Sequence, residues 1–304
     1  MAREYWYFVG GALAVLVPLL LFVAVKKLHL LEIRPDREIV YTAKGQAPLT
    51  LHAFTAQHRR DDTPTPALLL FHGGRWLYGG PEELYPQCAY FAQQGYACFS
   101  AQYRLGADNR PDVRGAVADA RAALDYLLDN AQALGIDPAR IAVGGGSAGG
   151  HLAAALGSGL PLAPGAATPD QRRPAAQVLY NPMLDLAPGT PDHHLVREYW
   201  EAVSPLHHVD NAVPPALILV GSQDPEVPLA TVEHYCAALR NAGGRCDVAL
   251  YDGQSHGFYH NPAYREQTNR RILAFLQTLP NEGWAAGRHG TGLNPDPVPP
   301  APPP

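Results

Sequence analysis

An α/β fold with a mostly parallel central sheet, flanked by helices, is what this chain predicts, and three observations carry the prediction. Short apolar runs such as ALLLF at 67–71 and ALILVG at 216–221 have the composition of strands buried on both faces. Other stretches carry apolar residues at i, i+3 and i+4, the stripe of an amphipathic helix. The two kinds alternate from about residue 36 to residue 280, and such alternation builds parallel sheets. A length of 304 residues suits one large α/β domain, and a net charge of −5 gives no reason to invoke nucleic acid.

Taken in order, Arg37–Thr42 and Leu49–Thr55 read as strands that form an opening hairpin. Ala67–Phe71 is the next strand and ends at His72-Gly73-Gly74. A helix over 82–93 follows, then Gly95 and a strand Tyr96–Ala101. Over 112–134 the residues Val113, Val117, Ala120, Leu124, Leu127, Leu128 and Ala131 make one helical stripe. Arg140–Gly144 reads as a strand and Ser147–Leu156 as a helix. Gln177–Tyr180 and Ala216–Gly221 are two more strands, and a helix at 228–241 stops at Gly243-Gly244. Cys246–Tyr251 is the last strand, and 262–279 the last helix, with Ile272, Phe275, Leu276 and Leu279 on one face. Segment 182–214, rich in Pro, His, Asp and aromatic residues, breaks the rhythm and reads as a small cap-like insertion on the substrate side.

The domain so defined spans 37–280, and both ends stand apart from it. After a flank at 1–4, residues 5–25 hold 21 positions without a charge. As a helix they would be about 31 Å long, close to the hydrocarbon thickness of a bilayer. Tyr5, Trp6 and Tyr7 at one end and Lys26-Lys27 at the other are interfacial anchors. The alternative, a cleaved signal peptide, usually has a shorter apolar stretch, a more basic start and a small-residue cleavage site. A single-pass N-terminal anchor in the lipid bilayer is therefore expected, joined to the domain by a linker at 26–36. Lys26, Lys27, Arg34 and Arg37 outweigh the basic charge before the span, which leans the domain to the cytoplasmic side. Residues 281–304 end in NPDPVPPAPPP, a composition that supports neither helix nor ladder and reads as a disordered tail. Cys88/Cys98 and Cys236/Cys246 are each spaced by ten, which fits two disulfides and fits buried thiols equally.

The chemistry rests on Gly-x-Ser-x-Gly, which occurs twice, at 145–149 and at 253–257. The pattern needs a strand, a sharp turn and a helix, so that the serine oxygen stands exposed at the strand's carboxyl end. Ser147 has IAVGG before it and AGGHLAAAL after it, whereas Ser255 leads into a loop. Ser147 is thus the candidate nucleophile, and Ser255 a residue that places its neighbour. A serine hydroxyl needs a base, and the base needs a carboxylate. Of 13 histidines, His256 follows the last strand and so reaches the same sheet edge. His151, one turn into the nucleophile's helix, reads as a packing residue, and His193, His194, His207 and His208 as solvated loop residues. Asp224, in GSQDPEVP after ALILVG, is the candidate acid, ahead of Glu226; Asp252 reads as a turn residue. Gly73, Gly74 and Ala148 can supply backbone N–H donors for an oxyanion.

HGGRW at 72–76, YRL at 103–105, GIDPARIAVGGGSAGGHLAA at 135–154, GSQDPEVP at 221–228 and GQSHGF at 253–258 together resemble α/β-hydrolase carboxylesterases of the hormone-sensitive-lipase and feruloyl-esterase-like group. The resemblance covers roughly 37–279. It implies the α/β-hydrolase fold, with Ser147, Asp224 and His256 as catalytic residues and Gly73, Gly74 and Ala148 as oxyanion donors. The sequence departs from the group at Arg75, where many relatives have a third glycine, and at Gln102, where aspartate is frequent. The expected activity is hydrolysis of a small-molecule ester through an acyl-enzyme, with no cofactor and no metal. A formamidase-type amidase is the nearest enzymatic alternative. A membrane-tethered binding protein on an inactive hydrolase fold is the alternative of another class, disfavoured by the intact set of three residues.

Overall fold

Strands and helices alternate as the apolar pattern implies, and the strands assemble into one eight-stranded sheet among the described residues. The computed structural model describes residues 33–42, 47–57, 63–158, 160 and 172–279. The expected span at 5–25, most of the linker and the tail at 281–304 lie outside them. Among the described residues no helix is long and apolar enough to cross a membrane.

The strands are β1 (Arg37–Val40), β2 (Thr50–Phe54), β3 (Thr65–Phe71), β4 (Ala97–Ala101), β5 (Ile136–Gly146), β6 (Ala176–Tyr180), β7 (Ala216–Gly221) and β8 (Cys246–Tyr251). They lie in the order β1-β2-β4-β3-β5-β6-β7-β8. β1 and β2 form the expected hairpin and β2 is antiparallel to β4, while every other pairing is parallel. This is an α/β-hydrolase layout, a mostly parallel sheet with helices α1 (Tyr85–Gln93), α2 (Val113–Asp129), α3 (Ala148–Ser158), α4 (Leu229–Asn241) and α5 (Pro262–Gln277) upon it. β3 explains why the parallel strands read as unbroken apolar runs. Its Leu69 and Phe71 pack in one core with α2, α3 and α4, and its Leu68 and Leu70 in a second core with α1 and α5. Side chains alternate faces with a period of two, so burial on both faces leaves no polar positions.

Two elements differ in extent from the sequence reading by more than two residues, each for a local reason. The helix over 112–134 breaks at Asn130, whose side-chain amide donates to the Tyr126 carbonyl at 2.9 Å; a separate turn, Ala131–Leu134, then closes on Gly135 with φ 67. An asparagine that satisfies a terminal carbonyl competes with helix propagation. β5 begins at Ile136 rather than Arg140, because an irregularity between Thr65 and Ala67 in β3 accommodates Asp137-Pro138. Segment 182–214 contains helical turns at His193–Val196, Trp200–Val203 and Pro205–His208.

The cysteine alternatives resolve to two disulfides. Cys88–Cys98 ties α1 to β4 on one face of the sheet, and Cys236–Cys246 ties α4 to β8 on the other.

Candidate active site

Because β3 and β5 to β8 run parallel, their carboxyl ends share one edge. The register sets Phe71 beside Gly145, Gly146 beside Tyr180, Tyr180 beside Leu219, and Gly221 beside Tyr251. The turns leaving this edge carry Gly73-Gly74 after β3, Ser147 after β5, Asp224 after β7 and His256 after β8.

Ser147 occupies the turn between β5 and α3 with φ 54, a left-handed conformation that strains a residue with a Cβ. Its N–H donates to the Tyr180 carbonyl at 2.9 Å, and its own carbonyl accepts the His151 N–H at 2.9 Å, which starts α3. At Gly149, a Cβ would collide with the carbonyl oxygens of Phe71 and His72. The small residues after the serine therefore let α3 begin hard against the β3 turn. As a result Gly73 lies beside the serine, since a Cβ on Gly73 would stand 3.7 Å from the Ser147 Cβ.

The Gly73-Gly74 turn is held from behind. Tyr103 donates to the carbonyls of His72 at 3.1 Å and Gly73 at 3.2 Å, and its ring stacks on His72 at 4.2 Å and 15°. His72 Nδ1 lies 2.7 Å from the Gly73 oxygen. Burial lowers the His72 pKa and raises that of the Tyr103 phenol, so each stays a neutral donor. A carbonyl and the next residue's N–H share one peptide plane and point opposite ways. Fixing the two carbonyls therefore fixes the direction of the Gly73 and Gly74 N–H groups. YRL was part of the motif set, but nothing in the sequence alone shows what Tyr103 touches.

The Asp224 side chain is fully buried, and its Oδ1 accepts the N–H groups of Glu226 at 2.8 Å and Val227 at 3.0 Å. Its Oδ2 lies 2.8 Å from His256 Nδ1. An ionised carboxylate only accepts, so Nδ1 carries the hydrogen and Nε2 is left with its lone pair. Glu226, the alternative acid, sits 3.9 Å from the other nitrogen, Nε2, and not at Nδ1. The β7 and β8 turns are joined by Gln223 N–H to the Gln254 carbonyl at 2.9 Å, and by Ser222, which donates to Asp252 at 3.0 Å. Asp252 is thus a turn residue, as expected. Ser255 is exposed.

Tyr259, three residues beyond His256, is a contact the sequence reading missed. Its ring stacks on Tyr180 at 4.6 Å, and any Cβ on Gly146 would strike its hydroxyl. It fastens the histidine loop to the serine turn. His151 does more than pack locally: its Nε2 donates to the Val203 carbonyl at 2.6 Å, and its ring meets the Trp76 indole edge-on at 5.0 Å. It links α3, the helix that follows Ser147, to both the HGGRW turn and segment 182–214. In that segment His193 and His208 are partly buried, bonding the carbonyls of Leu186 and Glu201 at 2.9 and 2.6 Å, while His194 and His207 are exposed.

At the mouth, Arg75 lies 3.2 Å from Glu226 and 3.6 Å from Asp192. Burial pushes the Asp192 carboxyl above its ordinary range, with Arg75 pulling it back. Among the described residues no group of three or more His, Cys, Asp or Glu side chains is arranged to hold a metal ion.

Residues 55–160 match the family model BD-FAE, and residues 174–282 match that of the prolyl oligopeptidase family. Carboxylesterase NlhH of Mycobacterium tuberculosis is 30% identical over 244 residues, covering 70% of this chain and 74% of the relative. The chain belongs to the α/β-hydrolase carboxylesterases. Esterase 2 of Thermogutta terrifontis superposes with a TM-score of 0.73 at 31% identity, over 81% of this chain and 95% of that one. Esterase LipQ of M. tuberculosis is 31% identical over 59% of this chain, and acetylxylan esterase of Xylanibacter ruminicola is 26% identical over 68%. The chain spans 46% and 44% of these two, just under half of each. The match to BD-FAE spans Gly73, Gly74, Ser147 and Ala148, and the match to the prolyl oligopeptidase family spans Asp224 and His256.

Proposed function

We propose that this chain hydrolyses carboxylic esters through an acyl-enzyme on Ser147, with His256 as base, Asp224 as its orienting carboxylate, and the N–H groups of Gly73, Gly74 and Ala148 around the oxyanion. The observation that carries the reading is the buried Asp224–His256 hydrogen bond of 2.8 Å on the sheet edge that bears the strained Ser147. Ser147 Oγ attacks the ester carbonyl carbon while its proton passes to His256 Nε2. The carbonyl π electrons move to oxygen, where backbone donors stabilise the negative charge. Collapse breaks the bond to the alcohol oxygen, which takes the proton from Nε2. Water then repeats the cycle on the acyl-enzyme, releasing the acid and restoring Ser147.

Segment 182–214 forms only short helical turns rather than a large lid, which favours compact acyl groups. T. terrifontis esterase 2, the structural relative, is known with propionate and with butyrate bound. The test is a series of p-nitrophenyl esters from acetate to decanoate, run beside N-formylkynurenine. The expected result is highest kcat/KM at two to four carbons and a loss on the order of 10⁴-fold or more in Ser147→Ala. Undiminished activity in Ser147→Ala refutes the reading, and preference for the formamide moves it to an amidase.

The reading keeps residues 5–25 as a bilayer anchor ahead of a domain at 37–280, with 182–214 as its cap. For the side of the membrane, the two disulfides weigh against the lean given by Lys26, Lys27, Arg34 and Arg37, because disulfides persist in oxidising compartments. We therefore place the domain on the oxidising side. A maleimide mass-shift on the full chain, before and after reduction, tests this: four reactive thiols before reduction would contradict it.

A further inference from the structure

A small cleft lined by Met183, Leu184, Leu186, Asp192, Glu226 and Val227 adjoins the candidate site through Glu226, which lies 3.9 Å from His256 Nε2. Met183 also borders the serine turn, its N–H 3.4 Å from the Ser147 backbone carbonyl. Its walls mix apolar side chains with Asp185, Thr190 and Thr231, and the Asp192 side chain in it is 3% exposed. Asp192 Oδ1 accepts no hydrogen bond from any described residue. The Arg75 Nη1 group, at 3.6 Å, stands beyond hydrogen-bond distance. A buried charged oxygen without a donor is destabilising, and few native groups remain so without a purpose.

The chemistry of the surroundings selects what could satisfy that oxygen. An ionised carboxylate only accepts, so its complement carries O–H or N–H. A substrate carboxylate would meet both Asp192 and Glu226, two like charges. A substrate ammonium would meet the Arg75 guanidinium, already drawn to the same two carboxylates at 3.6 and 3.2 Å. A neutral donor meets neither objection. We propose that Asp192, with Arg75 and Glu226 at the entrance, forms a subsite for a neutral hydrogen-bond donor of the ester substrate, a hydroxyl group in the first place. The subsite rests on the proposed roles of Ser147 and His256, since its place in recognition comes from Glu226 near His256 and Met183 near the serine turn. It also gives a role to Arg75, the departure from the resembled group's motif: the guanidinium closes the entrance and sets its charge.

Two matched ester sets test this in the full chain. On the alcohol side, propyl acetate, 2-hydroxyethyl acetate, acetylcholine and O-acetylglycolate differ in the terminal group alone or in its charge. On the acyl side, p-nitrophenyl 3-methylbutyrate and 3-hydroxybutyrate exchange a methyl for a hydroxyl. The expected result is a kcat/KM for the hydroxylated ester about tenfold or more above its methyl counterpart in one of the sets. Asp192→Ala should bring that ratio to about one, and Asp192→Asn, which keeps an acceptor oxygen in the same shape, should retain part of it. A wild-type ratio near one in both sets means that the oxygen is satisfied by solvent and overturns the proposal. An unchanged ratio in Asp192→Ala, or best turnover of O-acetylglycolate or acetylcholine, also overturns it. Ser147→Ala run on the same esters separates the two levels: retained activity there refutes the nucleophile, whatever the ratios.

Discussion

Acidification should weaken this fold, and His151 supplies one separable part of the effect. Its ring is fully buried, with Nε2 donating to Val203 at 2.6 Å and Nδ1 without a hydrogen-bond partner. Burial pushes its pKa down from 6.5 to about 4. The unfolded chain takes up a proton near pH 6.5, and the folded chain resists until about pH 4, so the unfolded state binds more protons between the two. The contribution of neutral His151 is then complete above about pH 6.5 and is lost as pH falls toward 4. One pKa unit corresponds to about 1.4 kcal/mol, which gives a loss of about 2 kcal/mol at pH 5 and about 3 kcal/mol at pH 4. The assay is urea unfolding of wild type and His151→Gln at pH 7.5, 6 and 5. Glutamine can keep a donor for the Val203 carbonyl but does not titrate, and all other groups cancel between the two proteins. The stability advantage of wild type should shrink by about 2 kcal/mol from pH 7.5 to pH 5. Parallel pH curves for the two proteins would refute the reasoning.

Other perturbations test separate parts of the account. Tyr103→Phe removes the donor that fixes the His72 and Gly73 carbonyls, and should lower kcat by roughly tenfold to a hundredfold with KM little changed; a change confined to KM would count against the positioning role. Reduction of the disulfides should cost about 3 kcal/mol for each ten-residue closure, read as a drop in urea midpoint. Gly146→Ala drives a methyl into the Tyr259 hydroxyl and should destabilise by about 1–3 kcal/mol, as thermal unfolding would report.

The sequence was most legible where one segment decides its own structure. Ala216–Gly221 is bounded as its apolar run implies, because a strand buried on both faces leaves little choice, whereas Cys246–Tyr251, an edge strand with Leu250 exposed, is bounded by the glycines at 243–244 and 253. Asn130 was invisible because the helical stripe continues through Ala131, and the break depends on one side-chain amide. The start of β5 was hidden by Asp137-Pro138, whose tolerance depends on an irregularity in another strand, β3. The candidate site divides along the same line. Ser147, Asp224 and His256 each follow a readable strand, so topology alone carries them to one edge. The cluster of Arg75, Asp192 and Glu226 joins three distant segments through side-chain reach, and no local pattern records it. Arg75 could be singled out only by its departure from glycine. Tyr103 and Tyr259 act through contacts at turns made by other segments, which periodicity does not carry.

The central claim is that Ser147, and not its motif twin Ser255, forms the covalent intermediate. Treatment of the full chain with a fluorophosphonate, followed by proteolysis and mass spectrometry, reads this directly. The account predicts a single adduct on the peptide carrying Ser147, formed in step with loss of esterase activity and absent in Ser147→Ala. An adduct on Ser255, or full loss of activity without modification of Ser147, would contradict it.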